Sequence, residues 1–277
     1  MSIKTRFNLN KNICIIGCGW LGLPLAKSLL KKGASINGST TSSEKLQILT
    51  SEGIQAFKLK LSSEGISGDL ESCLGQCDTL ILNIPPGLRR QPNKDYVRQM
   101  RNLMPYIETS NISKVLFISS TSVYDDDESF RSITELSSTS ANSETAKQLL
   151  VVEQLFQQNS NFDTTILRFS GLFGNDRHPA KFLSGSTNLK NGNAPVNLIH
   201  LEDCIGIIET IITQEQWNTV FNASTEPHPI KAHYYTSICK ALNLPIPEFN
   251  SEIPSKGKII DASKLAQHLN YKFKVRL

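Results

Sequence analysis

Short apolar runs along this chain alternate with stretches in which apolar residues recur every three or four positions. Ile13-Cys14-Ile15-Ile16 is compact, rich in β-branched side chains and stopped by Gly17, the pattern of a strand buried on both faces. Over residues 21–32, Leu21, Leu25 and Leu29 fall at helical spacing, and Gly33 supplies a C-terminal stop. Residues 34–38 read as a weaker strand. Thr41-Ser42-Ser43-Glu44 has capping-box form, which predicts a helix over 45–52. Residues 54–59 follow as a strand. Residues 79–84 form a strongly apolar strand closed by Pro85-Pro86-Gly87, and a polar helix spans about 95–110. Further strands are expected at 114–119 and 163–169, with a helix over 144–158 that puts Leu149, Val152 and Leu155 on one face.

Alternation of strands with helices to about residue 170 predicts parallel βαβ units and therefore an α/β fold with a doubly wound parallel sheet. After Gly174 the pattern loosens. Residues 175–195, rich in Gly, Asn and Ser, read as a long loop with a short helix. Strands at 196–201 and 220–223 and helices at 203–213, 231–242 and 263–269 complete the chain. The expected organisation is a dinucleotide-type Rossmann domain over 1–174 and a small C-terminal substrate lobe over 175–277, with about 196–223 returning to the Rossmann core.

Composition narrows the classes. With 277 residues, 39% hydrophobic and 19% charged, the chain can bury a core. The net charge of +4 is small and scattered, and no basic stripe is interleaved with aromatics, so nucleic acid is not an expected partner. The six cysteines form no Cys-x-x-Cys pair and no His stands at ligand spacing from them, so no metal is expected and reduced thiols in a cytoplasmic protein are. Residues 1–12 are polar, without a secretory apolar region, and no run reaches the roughly 18 apolar residues of a membrane span, so no membrane partner is expected.

Gly17-Cys18-Gly19-Trp20-Leu21-Gly22 sits after the first strand and at the mouth of the first helix, where a phosphate loop must sit. The first glycine permits the tight turn, the second lets backbone approach a pyrophosphate, and the third lets helix pack on strand. A helix N-terminus adds free N–H groups and a partial positive charge. The expected ligand is a nicotinamide dinucleotide. At the end of the second strand an NAD binder carries an acid for the ribose 2′-hydroxyl. Here Ser39, Thr40 and Thr41 stand instead, and no carboxylate appears before Glu44. That favours NADP, with NAD the alternative.

Lys114-Val-Leu-Phe-Ile-Ser-Ser-Thr-Ser-Val-Tyr124 resembles the strand-and-serine motif of extended short-chain dehydrogenase/reductases, the NAD-dependent epimerase/dehydratase superfamily. Ile166-Leu-Arg-Phe-Ser-Gly-Leu-Phe-Gly174 resembles that family's strand and loop behind the nicotinamide. Asn197-Leu-Ile-His-Leu-Glu-Asp203 and the stretch 257–269, with Asp261 and Lys264, resemble its later motifs. With Arg177-His178-Pro179 and the glycine loop, the match is nearest to the atypical YeeZ-like subgroup and covers nearly the whole chain.

The resemblance implies cofactor contacts from Gly17, Gly19, Trp20, Leu21, Gly22, Ser39, Thr40, Thr41, Asn83, Ile84, Pro85, Ser119, Lys147, Phe169, Ser170, Gly171 and Leu172. It implies a catalytic Ser120, which orients the reacting oxygen, and Lys147, which holds the nicotinamide ribose. The family's Tyr lies four residues before that Lys, where this chain has Ser143. A serine hydroxyl is too weak an acid to replace a tuned phenol. Tyr124, His178, His200 or a water relay are the remaining proton donors. Thr121, Arg177, His178, Asn197 and His200 are candidate substrate contacts. The basic segment Arg89, Arg90, Lys94, Arg98 and Arg101 is a candidate for meeting an anionic substrate. Two readings follow. One is an oxidoreductase moving hydride between nicotinamide and a carbonyl or secondary alcohol of a small polar or sugar-like substrate. The other is a non-catalytic NADP(H)-binding sensor acting through a protein. The family also implies a possible homodimer.

Overall fold

The structure is a computed structural model that describes residues 9–139, 142–174 and 177–277. Residues 1–8, and Asn175 and Asp176 at the start of the long loop, lie outside these. In chain order the first elements are β1 (Asn12–Ile16), α1 (Gly22–Lys31), β2 (Ser35–Thr40), α2 (Ser43–Ser51) and β3 (Gln55–Lys58). Next come β4 (Lys60–Leu61), β5 (Ile66–Ser67), α3 (Leu70–Leu74), β6 (Thr79–Leu82), α4 (Tyr96–Glu108) and β7 (Lys114–Ser120). Then follow β8 (Ser132–Ile133), α5 (Glu144–Gln157), β9 (Asp163–Phe169), β10 (Gly171–Phe173) and α6 (Pro179–Leu183). The chain finishes with β11 (Leu198–His200), α7 (Leu201–Thr213), β12 (Val220–Ala223), α8 (Lys231–Ala241), β13 (Ile259–Ile260) and α9 (Ser263–His268).

Seven strands form one parallel sheet in the order β12-β9-β7-β6-β1-β2-β3. Ile13, Cys14, Ile15 and Ile16 are buried on both faces of β1, as are all four residues of β6, which is why both read as unbroken apolar runs rather than alternating ones. β1 pairs with β2 on one side and β6 on the other. The strand order therefore reverses direction at the carboxyl end of β1, the position where open α/β sheets bind ligands.

The chain forms two compact units, each assembled from separate stretches. The first runs to Ser119 and adds Ser143–Leu167 and Ile208–Val220. The second contains Ser120–Asn142, Arg168–Ile207 and Phe221–Leu277. In the first unit Leu25 and Leu29 of α1 are fully buried, and Phe117 of β7 stacks on Phe156 of α5 with centroids 5.5 Å apart. In the second, Phe173, Ala180, Val196, Leu198, Tyr234, Tyr235 and Cys239 form a separate apolar cluster.

Local sequence explains several helix starts. Asp69, Asp95 and Ser143 cap α3, α4 and α5, accepting from the backbone N–H of Ser72, Arg98 and Ala146. The expected capping box at Thr41 does not form. The Thr40 hydroxyl accepts from the Ser42 N–H at 3.2 Å, the chain stays extended through Ser42, and α2 starts at Ser43 without a side-chain cap. The expected strand at 196–201 is confined to β11, which pairs with β10 in a separate two-stranded sheet; only β12 of that region joins the main sheet. α3 and the short strands β4, β5, β8 and β13 carry too few residues for a periodicity to show.

Candidate dinucleotide site and its surroundings

The loop between β1 and α1 is held from three sides. Gly17 N–H donates to Ser39 Oγ (3.1 Å), Cys18 N–H donates to the Ser39 carbonyl (2.9 Å), and Asn83 Nδ2 donates to the Gly17 carbonyl (3.0 Å). Backbone approaches backbone here without room for side chains. A Cβ on Gly22 would stand 2.2 Å from the Gly17 oxygen, and one on Gly17, whose φ is +106°, would stand 2.4 Å from the Asn83 oxygen. At Gly19 nothing lies within 4 Å of that position, so the second glycine faces open space.

That space belongs to a cavity of about 300 Å³ in the first unit. It is bounded by Gly17, Gly19, Ser39, Thr40, Thr41, Asn83, Ile84 and Pro85, so eight residues expected at the cofactor meet at one cleft. Ile16 of β1 and Cys18 of the loop also line it, as do Lys45, Lys94, Gln99, Leu59 and Leu61, and sequence reasoning assigned none of these last five to the cofactor. Lys94 belongs to the basic segment noted above, and its ammonium lies 5.6 Å from the Tyr96 ring centre. Partial burial lowers its pKa. Arg89, Arg90, Arg98 and Arg101 are exposed and do not line the cavity. Lys45 had no distinguishing signal, because one exposed lysine on a polar helix looks like any other. Gln99 is 3% exposed, and its Oε1 has no hydrogen-bond partner.

The open face of Gly19, the orphan amide oxygen of Gln99 and the lysines lining the cleft fit a dinucleotide, whose pyrophosphate the glycine loop would hold. Of the remaining residues expected at the cofactor, Trp20 is half-buried and Leu21 is buried at the start of α1. Ser119 donates to the buried Glu153 at 2.5 Å. Lys147 is exposed on α5 in the first unit. Phe169 and Ser170 are buried in the second unit, the Ser170 hydroxyl without a partner, while Gly171 and Leu172 lie in β10.

Ser143 caps α5, with Oγ accepting from Ala146 N–H at 3.2 Å, so the position of the family's tyrosine is here the residue just before the helix. Ser120 ends β7, half-buried, and its Oγ accepts from Ser122 N–H at 3.1 Å. Tyr124 is 2% exposed. Its hydroxyl donates to Asn222 Oδ1 (3.0 Å) and accepts from Arg168 Nη1 (2.6 Å). Burial pushes the phenol pKa up, more than the neighbouring guanidinium pulls it down.

Among the expected substrate contacts, Thr121 is buried at the turn after β7, and Arg177 is exposed, its backbone paired with Gly174. His178 Nδ1 accepts from Ala180 N–H (3.1 Å), capping α6, and Nε2 lies 3.3 Å from the Tyr234 hydroxyl. Burial, then Lys181, lowers its pKa, so the ring is neutral at pH 7. His200 Nδ1 accepts from Glu202 N–H, and its ring meets Phe173 edge-on at 5.1 Å. Asn197 donates to the Lys258 carbonyl and accepts from Ile260 N–H, fastening β13. It also lines a cavity of about 260 Å³ in the second unit with Lys231, Lys256, Lys258 and Asp126. Lys258 Nζ reaches the Tyr124 carbonyl at 2.6 Å and Asp126 at 2.9 Å. Burial lowers the Lys231 pKa. These lysines are scattered over 28 positions of sequence (231 to 258), which hides them as a group.

Among the described residues no helix is long and apolar enough to cross a membrane. Residues 17–199 match the NAD(P)H-binding family. The chain is 30% identical over 266 residues to protein YeeZ of Escherichia coli strain K12, covering 95% of this chain and 96% of that protein. Its fold is similar to that of UDP-glucuronic acid 4-epimerase from Bacillus cereus in complex with NAD, with TM-score 0.78, 18% identity and coverage of 95% and 92% of the two chains. UDP-N-acetylglucosamine 4-epimerase from Bacillus cereus superposes with TM-score 0.76 at 18% identity, over 96% and 95%. The glycine loop at the switch point of the sheet and these matches together place the chain in the NAD(P)H-binding family, as a YeeZ relative with the fold of the epimerase branch of the short-chain dehydrogenase/reductase superfamily.

Proposed function

We propose that this protein is an NADP-preferring oxidoreductase of the epimerase type acting on a small, anionic, hydroxyl- or carbonyl-bearing substrate. The cleft at the glycine loop carries this reading. Its rim holds Thr40, Thr41 and Lys45 and no carboxylate, so a 2′-phosphate meets hydroxyls and a positive charge and no repulsion. When bound, the cofactor supplies hydride exchange at the nicotinamide. Ser120 would hydrogen-bond the reacting oxygen, and Lys147 would hold the nicotinamide ribose. Water would carry the proton, because the Tyr124 hydroxyl is already engaged at both its donor and acceptor positions. The lysine-lined cavity beside Asn197 supports an anionic substrate. Six buried, unpaired thiols suit a reducing cytoplasm, and the family likeness supports a homodimer.

The test is a fluorescence titration with NADPH and NADH, read by Trp20. Saturable binding, tighter for NADPH, supports the reading, and absence of binding by either at millimolar concentration overturns it. A second reading, a non-catalytic NADP(H) sensor, is favoured by Ser143, a helix cap where the reactive phenol would stand. Hydride exchange with any member of a carbonyl panel excludes it.

A further inference from the structure

The largest cavity described in the second unit, about 1010 Å³, is lined neither by the glycine loop nor by the lysines beside Asn197. The loop after β12 supplies Ser224, Glu226 and His228. α9 turns Ala262, Ser263, Ala266 and Gln267 towards it, and the C-terminal segment adds Lys272, Phe273 and Arg276. Small side chains on the helix leave the volume open.

Three observations make this more than a surface hollow. First, the Ser224 hydroxyl is fully buried and has no hydrogen-bond partner, an arrangement that costs stability unless a ligand satisfies it. Second, among the described residues neither Lys272 nor Arg276 makes an ion pair, and the two outnumber the single carboxylate, Glu226. Third, the backbone that carries them is fixed. The fully buried Asp203 carboxylate accepts from Lys274 N–H (2.8 Å), Val275 N–H (3.1 Å) and the Tyr271 hydroxyl (3.0 Å). Lys274 pairs with Glu202 at 3.1 Å. His228 gives Nδ1 to the Val196 carbonyl at 3.1 Å, which leaves Nε2 as an acceptor for a ligand hydroxyl.

We propose that this cavity is a binding site for a small polyhydroxylated anion, a phosphorylated or carboxylated sugar. Lys272 and Arg276 take the anionic group, Ser224, Gln267 and His228 take hydroxyls, and Phe273 covers an apolar ring face. The site does not depend on the dinucleotide reading, since no residue of the glycine loop contributes to it.

Calorimetric titration of the full chain with glucose 6-phosphate, gluconate and glucose tests this. Saturable binding of glucose 6-phosphate or gluconate but not of glucose is expected, and the stronger of the two identifies the anion. The Lys272→Ala/Arg276→Ala double variant should weaken it by about tenfold or more. Ala266→Phe, which puts a bulky side chain into the cavity without altering charge, should weaken it further. Both variants should keep the circular-dichroism spectrum and melting temperature of the parent, which shows that they are folded. No heat with either anion up to about 10 mM, equal binding of glucose, or unchanged binding by both folded variants would overturn the proposal.

Discussion

Arg168 delivers a guanidinium hydrogen bond to the Tyr124 hydroxyl at 2.6 Å, and the same guanidinium lies 5.1 Å from the ring centre. The phenol O–H in turn donates a hydrogen bond to Asn222 Oδ1. A tyrosine so held strengthens the interior. Tyr124→Phe should therefore cost about 1–3 kcal/mol, because it strips Arg168 and Asn222 of a buried partner. Urea denaturation measures the loss. A stability unchanged within error would mean that the hydroxyl is dispensable to the fold.

Ser120→Ala removes the one hydroxyl proposed to touch the reacting oxygen. NADPH affinity should stay as in the parent while turnover on any substrate found in a carbonyl screen disappears. Unchanged turnover would remove Ser120 from the mechanism.

Lys45→Ala separates the two cofactors. NADPH binding should weaken roughly fivefold, the scale of one exposed charge pair, while NADH binding stays constant. Equal effects on both would show that Lys45 does not meet the 2′-phosphate. Gly22→Ala should abolish both and destabilise the protein by roughly 1–3 kcal/mol, since the added methyl collides with the Gly17 carbonyl 2.2 Å away.

The thiols predict an alkaline limit. Burial pushes Cys18 and Cys77 up from 9.0 to about 12. A raised pKa in the folded state gives stability that is complete below pH 9 and is lost as pH rises from 9 towards 12. Melting temperature should fall across that window. At pH 7 a thiol reagent should leave the native protein unmodified and react with all six cysteines after denaturation. Rapid labelling of any cysteine in the folded protein would contradict its burial.

How much of this was legible in sequence depended on the range of the cause. β1 and β6, buried on both faces, announced themselves as apolar runs, and the glycine loop was readable because its three glycines stand at fixed spacing directly between a strand and a helix. The capping box at Thr41 did not form because the chain stays extended through Ser42 and the helix starts only at Ser43. β10 was hidden because a three-residue strand has no period to detect, while β11 is the part of the expected strand at 196–201 that pairs. Gln99 and Lys45 reach the cleft through the packing of α4 and α2, and the lysines beside Asn197 meet only after the chain returns from distant loops. No local pattern reports such meetings.

The interleaving of the two units also sets an order of events during synthesis. Glu209, in the last stretch of the first unit, accepts from Ser28 at 2.5 Å and pairs with Lys32 at 2.7 Å on the first helix. Those partners leave the ribosome some 180 residues before it. The first unit stays open until Val220 has been made, by which time two of the three stretches of the second unit have already emerged. A ribosome stalled before residue 208 therefore carries neither unit in finished form.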